Sequence, residues 1–423
     1  MNRNQILIIL ILVGLASGSG FYVGHPLMKP SQILPLVSLF FLPMDLVKNR
    51  LRFDRLAFWI GVYIFLAGVY NLPGLDKDQL IDFGFILSVF LVYIAAFVSA
   101  DAISRGDRFP AKVILSLFSV LFVLYLYQVS TETYFLLSSA EERFYSTTFN
   151  NANDMNSFLV AFIPLILFSL QLWKPSGLLT TGLFVVLALW VVVLGSRFCI
   201  VALFVIPFMY LVFSASYIWK LILLSGTGFV GALLAQVNWE RILKSFADWE
   251  NPVISRSATR LYLFIYNFED DKSSSYRLDS YLHAISHAGD AVIGFGTKNY
   301  EAFYQTATFG EGTVVSYVPH SYLIENMLAF GWVGLALIIC MLLTCLLAVL
   351  SSRTYRFYGI TTFVLFLMVS FVPSTVIRLP ILWFPLFFFT HLVRKERSLL
   401  VGSDDWLEPA VNQEYGGFYE EVY

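Results

Sequence analysis

The amino-acid sequence predicts an all-α polytopic membrane protein, with about twelve transmembrane helices and one large extracytoplasmic loop between helices 9 and 10. Composition is the first indication, because 58% of the 423 residues are hydrophobic and only 13% are charged, whereas soluble domains contain about 25% charged residues. The second is the arrangement of the apolar residues in long runs, with a mean hydropathy of +0.73. The third is a polar stretch, 238–319, which must lie outside the hydrocarbon because free backbone polar groups are excluded from it.

The apolar runs predict the individual helices, since about 20 apolar residues are needed to cross a membrane. The run from Leu178 to Phe213 contains a single charged residue, Arg197, and at about 1.5 Å per residue it is long enough to cross twice. Gly195-Ser196 therefore predicts a tight turn with Arg197 at its apex. The candidate spans are 5–23, 31–46, 56–72, 82–100, 111–129, 155–173, 178–195, 198–215, 219–236, 321–349, 357–374 and 376–393.

The distribution of Lys and Arg predicts the orientation, because short cytoplasmic segments are enriched in these residues. With both termini inside, most basic residues of the short segments lie on the cytoplasmic side, and the long loop lies outside. We therefore expect a transmembrane domain at 1–397, an outer loop at 237–319 and an acidic cytoplasmic tail at 398–423. In a bacterium, the loop would be periplasmic and the membrane would be the inner membrane. The N-terminal apolar stretch resembles a secretory signal peptide, but we expect it to be an uncleaved first helix.

Charge and cysteine content exclude several functions. The formal net charge of -2 excludes nucleic-acid binding through bulk basicity. All three cysteines lie in apolar runs, so we expect no disulfide and no metal–thiolate site. His283 and His287 share a helical face, but no carboxylate completes a metal site, so no metal or other cofactor is predicted.

Two arginines are candidates for binding an anion. Arg197 ends an apolar span, where its side chain either reaches the lipid headgroups or faces a polar cavity. Arg277 follows a run of serines, which predicts the cap of a short amphipathic helix with Arg277 in its first turn. A guanidinium suits phosphate because it offers fixed bidentate donors, and a helix N-terminus strengthens such a site. The alternative is that Arg277 is a solvated loop charge. The predicted apolar face of this helix consists of Leu278, Leu282 and Ile285.

Further polar residues lie at the mouths of predicted spans. His320 is placed where the loop returns to the membrane, and a histidine there can act as a general base, although a lone histidine is more often structural. Arg143 and Asn153 precede the sixth span. The asparagines in this segment equally fit the cap of a helix that starts near Met155.

Four segments, taken in order, resemble motifs of the O-antigen ligase and O-antigen polymerase superfamily. Each motif alone is weak, but their order, spacing and shared outer location make the combination specific. The segments are 143–154, which resembles R…F-x-N-P-N with Ala152 in the place of Pro; 195–197, which resembles an S-R turn; 277–296, which resembles R…P-L-L-G-x-G with Asp290-Ala291 in the place of Pro; and 320–335, which resembles H-N-x-x-L…G-x-x-G-L with Ser321 in the place of Asn.

The resemblance implies an inverting, metal-independent transfer of a glycan from an undecaprenyl-pyrophosphate donor to an acceptor hydroxyl. Arg197 and Arg277 match the family's pyrophosphate-binding arginines, and His320 matches its proposed base. These roles agree with the chemistry. Two positioned guanidiniums stabilise the charge of a departing lipid diphosphate, and a base activates a hydroxyl that is a poor nucleophile.

The remaining substrate contacts are expected from Arg143, Asn153 and Arg260. Arg256 and Arg260 also compete with Arg277 for the pyrophosphate, but Arg277 has the more suitable spacing to the later motifs. The expected partners are a lipid-linked oligosaccharide donor, a glycolipid or saccharide acceptor, and membrane lipids.

The acceptor is left open by the sequence. A ligase, a repeat-unit polymerase and a protein O-oligosaccharyltransferase share the donor chemistry and differ only in the acceptor. The alternative from another class is a polysaccharide flippase or transporter. A transporter is disfavoured because its sites usually lie at the bilayer midplane, whereas the polar residues here collect on one face.

Overall fold

The computed structural model describes residues 2–18, 30–41, 54–72, 77–133, 147, 149, 151–213, 237–250, 252–267, 272–297, 301–304, 321–352, 354–373 and 377–402. Within these ranges the chain forms helices and no strand, so the predicted all-α class is confirmed. The α-helices are α1 (Arg3–Ala16), α2 (Pro30–Ser38), α3 (Arg55–Asn71), α4 (Lys77–Ser104), α5 (Phe109–Thr131), α6 (Ala152–Trp173), α7 (Gly177–Leu194), α8 (Arg197–Leu203), α9 (Val205–Phe213), α10 (Trp239–Ala247), α11 (Pro252–Tyr266), α12 (Lys272–Ser286), α13 (Glu301–Tyr304), α14 (Tyr322–Leu350), α15 (Arg356–Val369) and α16 (Trp383–Gly402). Short 3-10 helices occur at Leu39–Phe41, Ala288–Ala291 and Pro380–Leu382.

Among the described helices, 5 are long and apolar enough to cross a membrane: α4, α5, α6, α7 and α14. Shorter apolar helices coincide with four more predicted spans, in α1, α3, α8 with α9, and α15. The predicted total of about twelve spans stays a prediction, because the ninth candidate span, 219–236, lies outside the described residues. The described parts of the predicted loop are largely helical, in α10 to α13.

The predicted eighth span, 198–215, is two helices rather than one. α8 and α9 meet at Phe204, whose N–H bonds to the carbonyl of Val201, three residues earlier, at 3.1 Å. Pro207 accounts for the break, because its ring clashes with the carbonyl four residues earlier and it lacks the N–H for a helical hydrogen bond. The predicted apolar run is therefore helical along 197–213, with a one-residue interruption at Phe204.

The last helix lies further toward the C-terminus than the predicted twelfth span, 376–393. The chain forms a 3-10 turn at Pro380, becomes α-helical at Trp383 and continues to Gly402. Proline is favoured at the start of a helix because no N–H is needed there, and most residues just after 393 are good helix formers. The helix therefore continues past the predicted tail boundary at 398, and that boundary stays a prediction.

The centre of the bundle is α6, because 83% of its apolar segment is buried, against 22% for α7. α6 packs against α5, α7, α8, α15 and α16. Its Phe158 stacks on Phe118 of α5, and its Phe162 stacks on Phe384 of α16. The exposed apolar side chains of α7 are typical of a surface in contact with lipid.

Two ion pairs show that α4 and the last helical segment run in the same direction. Arg378 Nε lies 2.7 Å from Asp82 Oδ1, near the start of α4. Lys395 Nζ lies 2.7 Å from Asp101 Oδ1, near the end of α4. This agrees with the predicted topology, in which both spans cross from the outer to the inner side.

Candidate functional site

Arg197 lies at a tight turn between α7 and α8, as predicted. Gly195 ends α7 in the left-handed region, with φ +73°, which favours glycine. A Cβ at this position would lie 2.8 Å from the Ser257 hydroxyl of α11, and that hydroxyl donates to the Val193 carbonyl at 3.1 Å. The Arg197 guanidinium lies 5.9 Å from the centre of the Phe264 ring. α11 therefore holds the turn from the side of the predicted loop.

Arg277 lies on the inward side of α12, which begins at Lys272. It is in the second turn of this helix, so its predicted place in the first turn is wrong. Ser280 and Ala284, on the inward side, are fully buried, whereas the predicted apolar face around Leu282 is exposed. α12 therefore turns polar side chains toward the protein, the reverse of the arrangement expected for an amphipathic helix in water.

The two guanidiniums interact with each other. Burial and, to a lesser extent, the charge of Arg277 lower the pKa of Arg197 to about 10. Burial also lowers the pKa of Arg277, while the Tyr281 phenol and the Cys199 thiol oppose this change. Within the described residues, the Nε of Arg277 is buried and has no hydrogen-bond partner. Because arginine keeps its proton at neutral pH, the site brings two positive charges into a place with little water.

The first two turns of α6 are connected to Arg277 through Ser157 and Cys199. Asn151 caps the helix, since its side chain accepts a hydrogen bond from the N–H three residues later at 2.8 Å. The Ser157 hydroxyl donates to the Asn153 carbonyl at 2.8 Å and lies against the Cys199 thiol of α8. The Cys199 thiol in turn raises the pKa of Arg277. The cap function therefore belongs to Asn151, and Asn153 lies in the first turn of α6, one turn before Ser157.

Arg260 lies on the face of α11 that meets the α7–α8 turn. Ser257 and Phe264, which contact that turn, are three residues before and four residues after Arg260, and residues at these spacings share a helix face. The structure therefore brings the half-buried Arg260 toward Arg197. Of its competitor Arg256, only the backbone belongs to the described residues.

The loop after α12 is docked into a break in α14. Gly331 has φ +70° and ψ -167° within α14, which frees carbonyls of the preceding turn. Two of them accept hydrogen bonds from the N–H groups of Phe295 and Gly296, at 2.7 and 2.8 Å. A Cβ on Gly294 would lie 2.4 Å from the Gly331 nitrogen, and one on Gly331 would lie 2.3 Å from the Val292 carbonyl oxygen. The two glycine motifs of the sequence are therefore two halves of one contact, which joins the segment after α12 to α14.

Buried polar groups lie at the start of α14. The hydroxyl of Ser321, the N-cap residue, is buried and has no hydrogen-bond partner in the part of the chain that the structure describes. Glu325 is 2% exposed and accepts a hydrogen bond from the Ile377 N–H at 3.2 Å. His320, the predicted base, immediately precedes Ser321 and lies outside the described residues, as does Arg143.

The sequence interpretation missed several residues of this site. Tyr281 follows Arg277 by four residues, a spacing that places both side chains on neighbouring parts of one helix. Glu325 was detectable as a carboxylate in the first turn of an apolar span, where such groups are rare. Ser157 and Cys199 gave no local signal, because their contact joins α6 to α8 and depends on the fold.

The candidate histidine pair has a structural contact of its own. His283 and His287 stack with their ring centres 4.2 Å apart, and the His283 Nε2–H donates to the Phe303 carbonyl at 3.0 Å. This bond holds α13 against α12. The described residues contain no group of three His, Cys, Asp or Glu side chains that could hold a metal ion.

Comparison with known proteins identifies one domain. Residues 182–339 match the family model described as O-antigen ligase. No curated protein and no solved structure matches the chain. The matched range includes Arg197, Arg277 and the contact between Gly294 and Gly331, and it excludes Asn153. Residues 182–339 are therefore similar to an O-antigen ligase domain, which confirms the resemblance to the O-antigen ligase and polymerase superfamily and, at a coarse level, supports a membrane enzyme.

Proposed function

We propose that this protein transfers a glycan from an undecaprenyl-pyrophosphate donor to an acceptor hydroxyl, with inversion and without a metal ion. The reaction takes place on the periplasmic face of the bacterial inner membrane. Arg197 and Arg277 bind the pyrophosphate, and His320 accepts the proton of the acceptor hydroxyl. Arg143, Asn153 and Arg260 are the further substrate-binding residues.

The approach of Arg197 and Arg277 is the observation that supports this proposal. The two residues come from different helices, α8 and α12, and the charge of one lowers the pKa of the other. Like charges in a poorly hydrated place raise the free energy of the folded protein. A diphosphate carries the charge that offsets both, and its oxygens match the planar donors of guanidinium.

The same arrangement fits the bond changes of the reaction. The bond between the anomeric carbon and the pyrophosphate oxygen breaks, and its electron pair leaves with the lipid diphosphate. The acceptor oxygen bonds to the opposite face of the anomeric carbon, which inverts its configuration, and the hydroxyl proton passes to His320. Donors aimed at developing charge typically contribute about 10²–10³-fold each, and a positioned base about 10²–10⁴-fold.

Transfer by the purified full-length protein in lipid tests the proposal. The assay contains an undecaprenyl-diphosphate glycan and separate candidate acceptors, and it compares the wild type with Arg277→Ala and His320→Ala. Both variants are expected to lose transfer, whereas Arg241→Ala, an exposed arginine on α10 in the same predicted loop, is expected to retain it. Unchanged transfer by the first two variants would overturn the assigned site.

The acceptor that receives the glycan decides among the members of this class. Transfer to a terminal glycolipid indicates a ligase, transfer to a second lipid-linked repeat indicates a polymerase, and transfer to protein serine or threonine indicates an O-oligosaccharyltransferase. Movement of the intact donor across the membrane without a new glycosidic bond would instead indicate a flippase. A reporter fused after Tyr423 is expected to be cytoplasmic, and a periplasmic reporter would overturn the sidedness.

A further inference from the structure

The outward face of α12 is apolar although its inward face is polar. Leu278, Leu282 and Ile285 are 47%, 56% and 69% exposed, whereas Tyr276 and Ser280 are buried. A helix bathed by water on its outer side would place these aliphatic side chains inside. The reversed arrangement is the one expected when the outer surroundings are hydrocarbon and the inner surroundings are a polar site.

The exposed stripe continues onto a candidate membrane span. After α12 the chain passes through Ile293, which is 75% exposed, and docks beside Gly331 of α14. Trp332 of α14 donates its indole N–H to the Ala288 carbonyl at 3.0 Å and its backbone N–H to the Val292 carbonyl at 3.2 Å. These bonds join the end of the α12 segment to the outer surface of α14.

The surroundings of α14 indicate what covers the exposed stripe of α12. It is one of the helices apolar enough to cross a membrane, and Trp332, Val333, Leu343 and Leu347 of its outer side are at least half exposed. Trp332 fits the membrane interface, because indole combines an apolar ring with one hydrogen-bond donor. The apolar stripe of α12 is therefore continuous with a surface that lipid covers on any transmembrane placement of α14.

We propose that α12 lies in the plane of the membrane, with Leu278, Leu282 and Ile285 in the acyl-chain region of the leaflet adjoining the two-arginine site. The polar residues at the end of the helix, Ser286 and His287, are exposed and mark the headgroup boundary, as in other interfacial amphipathic helices. Arg277, on the inward side of the helix next to this stripe, is thereby held at the depth of lipid phosphates. This placement of α12 stands whether or not the site binds a diphosphate.

Quenching by lipid-borne nitroxides tests the placement. Single cysteines at positions 278, 282, 285, 286 and 347 carry a fluorophore, in a background whose three native cysteines are replaced by alanine, in nanodiscs with nitroxide on the acyl chains or in the water phase. Labels at 278, 282 and 285 are expected to be quenched by the acyl-chain nitroxide as strongly as the label at 347 in α14. The label at 286 and a label at the exposed Asp107 are expected to respond to the aqueous quencher.

Two outcomes overturn the proposal. Aqueous quenching at 278, 282 and 285 would show that the stripe faces water. Protection from both quenchers would show that another part of this chain or a second copy covers it. If labelled variants fail to fold, photo-crosslinking of the unmodified protein by a phospholipid with a diazirine in its acyl chain provides the same decision, since adducts are expected on both the α12 and α14 peptides. Adducts on α14 alone would contradict the proposal.

Discussion

Two groups of charged residues in this helical bundle are built in opposite ways. In one group, which joins α3, α4 and α16, cations face carboxylates: Arg394 contacts Asp54, and Lys395 Nζ lies 2.7 Å from Asp101 Oδ1. Asp54 also caps α3, accepting the N–H of Ala57 at 2.7 Å. In the other group, the two arginines of the candidate site approach each other. We call the first the paired cluster and the second the arginine cluster.

The difference separates a structural use of charge from a functional one. Opposite charges compensate each other's loss of water and connect helices, so their partner is already present in the fold. In the arginine cluster the charge of Arg277 lowers the pKa of Arg197, and an anion that binds both guanidiniums would offset this like-charge repulsion. We therefore expect substitutions in the paired cluster to change stability, and substitutions in the arginine cluster to change activity.

The largest expected effect is that of Arg277→Gln in the arginine cluster. Removing one guanidinium should lower the transfer rate on the order of 10²–10³-fold, because the leaving diphosphate loses a positioned donor. The thermal unfolding temperature should stay the same or rise, because a poorly hydrated cation beside Arg197 is removed. Initial transfer rates and thermal unfolding of the same preparation measure both quantities.

Arg241→Gln is the matched control, since Arg241 is exposed and lies in the same predicted loop. Its rate and unfolding temperature should equal those of the wild type. A parallel loss of rate and stability in Arg277→Gln would contradict the comparison, because it would make Arg277 a structural residue.

The second prediction concerns the contact that joins the segment after α12 to α14. Gly331→Ala places a side chain at φ +70°, 2.3 Å from the Val292 carbonyl oxygen, and the strained backbone alone costs about 1–3 kcal/mol. We expect lower thermal stability and lower transfer together, because displacement of the docked loop also moves α12 and Arg277. Thermal unfolding and transfer assays measure the two effects.

Gly289→Ala serves as the control for this change, since a Cβ at Gly289 meets no atom within 4 Å. It should leave stability and transfer near wild-type values. Wild-type behaviour of Gly331→Ala would show that the break in α14 is not needed to form the site.

The third prediction tests the paired cluster. The Asp101 side chain is 7% exposed and contacts both Lys395 and Arg105, so Asp101→Asn leaves two cations without this carboxylate. Both cations are partly exposed, so water compensates part of the lost interaction. We therefore expect the free energy of unfolding to fall by about 1–3 kcal/mol. The transfer rate of the folded fraction should not change. A loss of rate without a loss of stability would break the distinction between the two clusters.

Local sequence patterns were sufficient for the features that depend on local physics. Apolar runs predicted the apolar helices among the described residues because hydrocarbon requires internally satisfied backbones. The length of the run around Gly195 predicted its turn because one helix of that length would exceed the membrane. The residue types at Arg197 and Arg277 made an anion site one of the predicted possibilities, since guanidinium offers fixed bidentate donors to phosphate.

The features that were not predicted depend on contacts distant in sequence. The surroundings of the apolar stripe of α12 were not predicted, because periodicity alone does not distinguish a core from lipid. The break at Gly331 needs the loop around Gly294 to satisfy the carbonyls it frees. The contact of Ser157 with Cys199 joins two helices and leaves no periodic pattern.

The smallest expected effect, and the sharpest test of the like-charge interaction, is the pH dependence of Arg197→Lys. A diphosphate binds the protonated side chain, so wild-type binding should persist at neutral pH and weaken as the pH rises through the Arg197 pKa of about 10. The bound anion raises this pKa, which raises the pH limit, that is, the pH above which binding is lost. Lysine has a lower ordinary pKa than arginine. Burial and the charge of Arg277 lower the pKa of a lysine at position 197 further. The variant should therefore lose binding at a lower pH than the wild type.

Calorimetric titration with an undecaprenyl-diphosphate analogue from pH 7 upward measures this limit. Adding Arg277→Gln to Arg197→Lys removes the like charge and should move the limit back toward higher pH, although binding at neutral pH becomes weaker. If the limits of the single and double variants coincide, the two cations do not interact and the arginine cluster is not a unit. If the double variant has a weaker affinity at neutral pH but a higher pH limit, Arg277 is the charge that lowers the pKa of residue 197. Loss of folding would instead lower both the affinity and the pH limit.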